Sequence, residues 1–369
     1  MKVKGGVVIS YGIIGAGMMG REHLLNIKAL DGATVVAIAD PHVPSQEAAL
    51  ALHPDLKVFS DHKALLESGI CDVLVVSTPN NTHADIVLDI LHHPNSHHVL
   101  VEKPLCTNIE DCYKVLEAAK ARPEVFVQVG LEYRYMPPVE KLISIVKSNA
   151  LGRVKMVAIR EHRFPFLVKV HNWNRFNVNT GGTLVEKCCH FFDLMNLITG
   201  AVPLRVMASG SQDVNHLDEN YDGKVPDIID NAYVIVEYDN GVRAMLDLCM
   251  FAEGGKNEQE ICVVGNYGKA EAFVPESVVR FGTRTNGREG VEQIEVHDDR
   301  IKYEGLHHGS SFLEHLEFLD AVRNHGERPP IASLYDGLLS VAVGVAAQLS
   351  IEIGKPVNMQ DILKFGIDR

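Results

Sequence analysis

The chain has 369 residues, of which 46% are apolar and 22% charged, and its formal net charge is −13. That length exceeds what one ordinary hydrophobic core accommodates, so two domains are expected. The acidic balance excludes nucleic acid and anionic membrane as main partners, since both select basic surfaces, and leaves small neutral polyols and sugars open.

No stretch reaches the ~18–20 uninterrupted apolar residues of a membrane span. Met1 to Ser10 carries two lysines and no cleavable hydrophobic run of its own. The apolar run Val7–Ile14 leads straight into a glycine motif and reads as a first strand, not a signal peptide. The seven cysteines are scattered and include the neighbours Cys188 and Cys189. An odd, unpaired set suits reduced thiols, and a cytoplasmic location is expected.

In chain order, β-branched runs at Val7–Ile14, Thr34–Ala39, Val73–Ser77, His98–Val101 and Val125–Val129 alternate with helix-period segments. Those segments are Arg21–Ala29, Gln46–Leu52, Lys63–Leu66, Ala84–Leu91 and Ile109–Ala121. Strands alternating with helices predict βαβ units and a doubly wound parallel sheet over residues 1–132. The stretch from Leu91 to His98, with paired histidines at 92–93 and 97–98, reads as a solvated polar loop and not a metal site.

After Tyr133 the rhythm changes. A helix opened by Pro137 and Pro138 (Val139–Lys147) and a strand at Arg153–Glu161 precede one helix at Leu184–Ile198. Extended runs follow at Leu204–Ser211, Asn231–Tyr238, Val242–Phe251, Glu260–Gly265, Lys269–Val274 and Val291–His297. Asp239-Asn240-Gly241 is a hairpin turn signal between two of them. Helices at Phe312–His325 and Asp336–Ile353 close the chain. Residues 133–369 are thus expected to form an α+β domain with a large, mainly antiparallel open sheet.

The strongest local signal is Gly15-Ala16-Gly17-Met18-Met19-Gly20, directly after a strand and opening a helix. Gly15 permits the tight turn, Gly17 lets backbone approach a pyrophosphate, and Gly20 lets helix and strand pack closely. The free N–H groups and positive dipole end of the helix then meet the phosphates. Asp40 ends the second strand about twenty residues on, where a carboxylate bonds a ribose 2′-OH. Pro41, His42 and Val43 offer no arginine for a 2′-phosphate, so NAD is favoured over NADP. The other reading of Asp40 is a strand-end turn former.

On the helix predicted at Leu184–Ile198, Glu186 and His190 at i,i+4 share a face and Asp193 continues the stripe. Leu184, Cys188, Phe191, Met195 and Ile198 form an inward-packing face. Thr183-Leu-Val-Glu186 also has the pattern of a capping box, with Thr183 as N-cap and Glu186 reaching back. Glu186, Cys189, His190 and His308 have ligand types that zinc accepts, but no paired-ligand spacing, and no metal is expected.

Gly-Ala-Gly-Met-Met-Gly at 15–20, Thr-Pro-Asn-Asn-Thr-His at 78–83 and Glu-Lys-Pro at 102–104 come in that order. Arg134, Gly181-Gly182 and the run from Glu186 through His190 to Asp193 follow. Together these resemble the glucose–fructose oxidoreductase / inositol dehydrogenase / MocA family over essentially the whole chain. The resemblance implies a cofactor edge of Gly15, Gly17, Met18, Met19, Gly20, Asp40, Thr78, Pro79, Asn80, His83, Glu102 and Lys103. It also implies that Lys103 lies close to the nicotinamide and the reacting hydroxyl. A lysine, an Asp and a His form a proton relay in many members. His190 falls on the family histidine, and Glu186 stands where the family has Asp. Lys187, Cys188 and Cys189 depart from the small residues often found there.

Such a relay is chemically reasonable, because oxidising a secondary alcohol delivers a hydride to the nicotinamide and a proton to a base. Substrate contacts are expected from Lys103, Arg134, Arg163, Trp173, His190 and His308. Trp173 is the only tryptophan, and its flat face suits a sugar ring or the nicotinamide. The activity implied is NAD(P)-dependent oxidation of a cyclitol, sugar or glycoside by a homodimer or homotetramer built through the C-terminal sheet. Two rivals stay open: glycoside hydrolysis through transient oxidation by bound NAD, and NAD(P) sensing without turnover.

Overall fold

The structure, a computed structural model, describes residues 8–324 and 331–363. Val7 and His325, the outer ends of two predicted elements, lie outside the described residues, as do Met1 to Gly6. Two compact units divide the chain. The first takes the described residues to Glu132, with Lys169–His171 and Asp299–Leu338; the second takes Tyr133–Val168, Asn172–Asp298 and the described residues from Leu339.

The first unit is built on six strands: β1 (Ile9–Ile14), β2 (Ala33–Ala39), β3 (Lys57–Phe59), β4 (Val73–Val76), β5 (His98–Glu102) and β6 (Val127–Gly130). All pair in parallel in the order β3-β2-β1-β4-β5-β6. This is the doubly wound nucleotide-binding order, in which ligands sit beyond the carboxyl ends of the strands. Val73–Val76 and Val99–Val101 are fully buried, as befits strands covered on both faces. Sequence periodicity misses β3, whose three residues are too few to show a period.

The helix Met18–Lys28 follows β1. The helix Ser310–Arg323, far along the chain, packs against it. Glu22 of the former accepts from the Leu306 amide (3.0 Å) and from the Tyr303 hydroxyl (3.3 Å), which secures the returning segment. The expected polar loop at 92–98 is corrected in part. His97 is buried with Nδ1 2.8 Å from the Cys71 carbonyl, and His98 starts β5.

The second unit carries nine strands: β7 (Val154–His162), β8 (Pro203–Ser211), β9 (Asn231–Tyr238), β10 (Arg243–Cys249), β11 (Gln259–Gly265), β12 (Gly268–Val274), β13 (Val278–Thr283), β14 (Glu292–Glu295) and β15 (Val357–Asn358). Their order is β14-β13-β12-β11-β7-β10-β9-β8-β15. Every pairing is antiparallel except β7 with β10. Strict alternation of buried and open residues along β9 to β12 gives the sheet one covered face and one open face.

The late helix Leu334–Ile353 is long and apolar enough by composition to cross a membrane, yet 61% of its apolar window is buried inside the protein. Val341, Ala342, Val343, Ala346 and Ala347 are wholly inaccessible, so its apolar surface is that of a core helix.

Candidate active site

Backbone sterics shape the first unit's site. Gly15 has φ +91°, and a Cβ there would lie 2.7 Å from the Ser77 carbonyl oxygen. A Cβ on Gly20 would stand 1.9 Å from the Gly15 oxygen. At Gly17, by contrast, a Cβ would meet nothing within 4 Å. Gly17 is the N-cap of Met18–Lys28, with no side-chain cap and no acidic residue in the first turn. The turn is therefore tight against its own strands and open ahead of a helix N-terminus, which is what a dinucleotide pyrophosphate requires. Met18 and Met19 are half-buried on its first turn.

Asp40 forms the strand-end turn of its second reading, and both carboxylate oxygens are engaged by backbone. Its Oδ2 accepts the Ala16 amide (2.7 Å), inside the glycine turn, and its Oδ1 accepts the His42 amide (2.7 Å) in an Asx turn. The carboxylate thus joins the second strand end to the phosphate turn. Arg21, which the motif reading did not single out, braces the same turn through the Ala16 carbonyl (2.9 Å).

The strand ends at 77–83 and 102–104 are tied together by a buried histidine. His83 Nδ1 is 2.8 Å from the Pro104 carbonyl and Nε2 is 3.0 Å from that of Thr78. Burial lowers its pKa, against the two carbonyls, which raise it. Thr78 accepts from the Thr82 hydroxyl (2.7 Å), Thr78 and Pro79 are half-buried, and Asn80 is buried. Lys103, half-buried, precedes a cis Pro104.

Glu102 turns inward. Its Oε1 is 2.8 Å from His23 Nε2, its Oε2 accepts the Lys103 amide (3.1 Å), and His23 Nδ1 is 2.8 Å from His315 Nε2. Burial raises the Glu102 pKa, but the His23 hydrogen bond and charge, with the charges of Lys103 and His307, more than reverse this and leave it at about 2. His315 moves well below the usual histidine range, through burial first and the neighbouring His23 second. Glu102 as carboxylate accepts from His23 Nε2, and one hydrogen bond joins His23 Nδ1 to His315 Nε2, so the three side chains form a buried chain. Neither His23 nor His315 carried a sequence signal, because the helices that bear them are far apart in the chain.

In the second unit the predicted single helix at Leu184–Ile198 is two pieces, Thr183–Glu186 and Cys189–Thr199. The joint has a wide bond from the Cys188 amide to the Thr183 carbonyl (3.3 Å) beside the ordinary one from Lys187 (3.0 Å). The capping box does not form. Gly182, at φ +89°, is the N-cap, the Glu186 amide bonds the Gly182 carbonyl (2.8 Å), and the Thr183 hydroxyl donates to the Ile229 carbonyl (2.6 Å).

The break also changes which residues share a face. Lys187, His190 and Asp193, three apart, all meet the segment Glu132–Tyr135. Asp193 takes a two-pronged ion pair from Arg134, through Nε (2.6 Å) and Nη2. The His190 ring stacks on Tyr133, with centroids 4.1 Å apart and planes 8° from parallel. Lys187 Nζ donates to the Tyr133 hydroxyl (2.6 Å) and pairs with Glu161 Oε1 (2.9 Å). Glu161 in turn accepts from Gln259 (2.8 Å), with Arg163 Nη1 at 3.6 Å. All of Tyr133, Arg134, Glu161, Glu186, Lys187, His190 and Asp193 are buried. The sequence marked Lys187 only as a departure, and it gave no sign of Tyr133 or Glu161.

Of the other expected substrate residues, Arg163 lies over the Phe164 ring (4.2 Å). Trp173 is half-buried in a short 3-10 segment, Val170–Arg175, and in the first unit His308 is exposed at φ +53°. Among the described residues no three His, Cys, Asp or Glu side chains are grouped to hold a metal ion. All seven cysteines are free.

Comparison with known proteins accounts for both units. The family described as "Oxidoreductase family, NAD-binding Rossmann fold" matches residues 9–131, and "Oxidoreductase family, C-terminal alpha/beta domain" matches 143–359. The chain belongs to this Gfo/Idh/MocA oxidoreductase family. Among individual relatives, the Myo-inositol 2-dehydrogenase of Thermotoga maritima is 27% identical over 95% of this chain and 99% of its own.

Solved structures share the fold. An oxidoreductase from Agrobacterium radiobacter, in complex with NAD+, L-tartaric acid and magnesium, has TM-score 0.81 and 17% identity, covering 97% of this chain and 100% of that one. A levoglucosan dehydrogenase in complex with NADH and levoglucosan has TM-score 0.82 and 19% identity, covering 95% and 99%.

Proposed function

We propose that this oxidoreductase oxidises a secondary hydroxyl of a cyclitol, sugar or glycoside, with NAD as its cofactor. The observation that carries the reading is the Gly15–Gly20 turn, closed against its own strands and open at Gly17. The names of the inositol and levoglucosan dehydrogenases supply the substrate class. When bound, NAD accepts the hydride.

The chain's own residues have the remaining tasks. Gly15, Gly17, Met18, Met19 and Gly20 receive the pyrophosphate at the helix N-terminus, and Asp40 offers its remaining lone pairs to the ribose hydroxyls. Asp40 also repels a 2′-phosphate, which favours NAD over NADP. Thr78, Pro79, Asn80 and His83 shape the strand-end edge. Glu102 is committed to His23 and the Lys103 amide, so its part is to hold the loop that carries Lys103.

We assign Lys103 to the substrate hydroxyl and His190 to its proton, with Glu186 stabilising the imidazolium that forms. Arg134 is turned onto Asp193, which gives it a positioning part. Arg163, Trp173 and His308 remain candidates for substrate hydroxyls.

The open face of the sheet suits a homodimer or homotetramer. Met207, Ile235, Met245, Ala158 and Cys262 stand side by side across β8, β9, β10, β7 and β11, with Met207 and Ile235 49% and 39% exposed. A contiguous apolar row of this kind marks an interface, and light scattering of the purified chain reads the assembly directly.

The decisive experiment is NADH formation across a panel of cyclitols, sugars and glycosides, with Lys103→Ala beside the unaltered chain. Turnover should appear with NAD, and Lys103→Ala should lower kcat ~10²-fold or more while NAD still binds. A Lys103→Ala kcat near that of the unaltered chain removes the lysine from the chemistry. Glycoside hydrolysis without NADH accumulation would transfer the reading to the transient-oxidation class.

A further inference from the structure

Tyr133, Lys187 and Glu161, we infer, are positioning residues that fix the plane of the His190 imidazole. The inference rests on the reading of His190 as the proton acceptor and adds to it a part for three residues that the family motif does not name.

A base works when its nitrogen points at the proton it takes, and errors of 10–20° in a site matter. An imidazole turns freely about two side-chain bonds unless something flat lies against it. Here that surface is the Tyr133 ring, 4.1 Å away and 8° from parallel. The Tyr133 ring is itself tethered at both ends. Its backbone lies in the segment Glu132–Tyr135, which the Arg134–Asp193 fork docks onto the helix bearing His190. Its hydroxyl accepts from Lys187 Nζ at 2.6 Å. Held at Cα and Oη, the ring has its long axis fixed, and Phe191, edge-on to it with centroids 5.7 Å apart and planes at 69°, limits rotation about that axis, so the imidazole stacked on it takes its plane.

The means of tethering is costly. Lys187 and Glu161 bury an ammonium and a carboxylate, and a buried pair of this kind commonly stabilises a fold no better than apolar residues of the same volume. Docking the segment does not call for it, since Arg134 and Asp193 already do that. What the second ion pair adds is a charge-assisted bond to one atom, the Tyr133 hydroxyl. Glu161, inaccessible and held by Gln259, fixes where that ammonium sits.

The test is carried out on the full chain, with histidine side chains observed by carbon–proton NMR and the His190 signal assigned from His190→Asn. Stacking should move the His190 ring protons upfield. Tyr133→Leu should abolish that shift, and Tyr133→Phe, which keeps the ring but loses the tether at Oη, should retain an upfield shift that is reduced or broadened as in the double variant below. The double variant Lys187→Met/Glu161→Gln, which removes both charges together, should shift or broaden the His190 signal while the other histidines stay in place.

On whichever panel compound is turned over, Tyr133→Leu and the double variant should lose ~10–10²-fold in kcat, the scale of a misplaced catalytic group. KM and NADH affinity should stay within about twofold of the unaltered chain. A His190 signal that the double variant leaves unmoved, or a kcat it leaves unchanged, overturns the inference. Full activity in His190→Asn would instead overturn the reading of His190 as the base.

Discussion

Gly15 and Gly20 shape the first unit's site by what they lack, since a Cβ on either would run into neighbouring backbone. Around His190 in the second unit the opposite holds. Four charged side chains, Arg134, Asp193, Lys187 and Glu161, are buried in two ion pairs to hold one helix and one aromatic ring. Backbone-built sites follow from sterics that act on any sequence with glycine in the right places, and they can be read locally. Side-chain-built sites depend on partners tens of residues apart, and each partner looks ordinary until the chain is folded. The two kinds should also fail differently: the first by losing a ligand, the second by losing the fold around it.

The largest effect is therefore expected at the Arg134–Asp193 pair. Replacing Arg134 with Met leaves a buried carboxylate without its fork, and removing one partner of such a pair typically costs about 3–5 kcal/mol. Asp193→Asn should cost a similar amount, because it leaves a buried guanidinium without its counter-charge and sets an amide N–H against one prong of the fork. Thermal or denaturant unfolding reads both, and a loss in Asp193→Asn far smaller than that in Arg134→Met would show that hydrogen bonding, and not charge pairing, holds this segment.

At Gly20 the expectation is reversed in kind. Gly20→Ala places a methyl 1.9 Å from the Gly15 oxygen, and overpacking of this sort costs roughly 1–3 kcal/mol. The loss should fall first on the turn and be read as weaker NADH binding by fluorescence titration. Unchanged NADH affinity would separate the turn from the cofactor.

The first unit does contain one side-chain-built feature, the Glu102–His23–His315 chain, and it sets a pH dependence. Burial and the neighbouring His23 hold the folded-state pKa of His315 well below its unfolded value. A histidine depressed in this way contributes stability that is present above its unfolded pKa near 6.5 and is lost as pH falls. The slope approaches about 1.4 kcal/mol per pH unit once the unfolded state binds one proton more. Glu102 acts in the same direction lower down: its folded pKa of about 2 lies below the ordinary glutamate value, so its contribution is lost between roughly pH 4.3 and its own pKa. His315→Phe should flatten stability against pH between about 6.5 and 5. A slope identical to that of the unaltered chain would mean that His315 is protonated in the folded state.

The same division accounts for what the sequence discloses. The parallel sheet, the glycine turn and the Asp40 strand end are legible because period and backbone geometry are local properties. The edge strand β3 is too short to show a period, and β13 follows β12 after a brief turn containing Pro275, with no alternation to mark it. The break at Lys187–Cys188 has no glycine or proline to announce it, so an unbroken helix with Glu186 and His190 on one face is the natural expectation. Lys187 takes its place beside His190 only once Tyr133 and Glu161 are brought to it from 54 residues away and from the strand β7.

The smallest expected effect tests how that helix begins. In a capping box the Thr183 side chain accepts a backbone N–H, and aspartate serves there as well as threonine. In the structure Thr183 donates, to the Ile229 carbonyl, and the Glu186 amide is satisfied by the Gly182 carbonyl instead. Thr183→Val keeps the shape and removes one hydrogen bond, so about 1 kcal/mol should be lost in unfolding free energy. Thr183→Ser can still donate and should lose less. Thr183→Asp is the discriminating variant, because an ionised carboxylate has no proton to give and would set its charge against a carbonyl oxygen. It should be less stable than Thr183→Val, and the deficit should shrink as the pH is lowered and the carboxyl becomes protonated. Were Thr183→Asp as stable as the unaltered chain at neutral pH, the hydroxyl would be acting as a helix cap after all, and the helix would start at Leu184, with Thr183 as its N-cap, as its sequence pattern predicts.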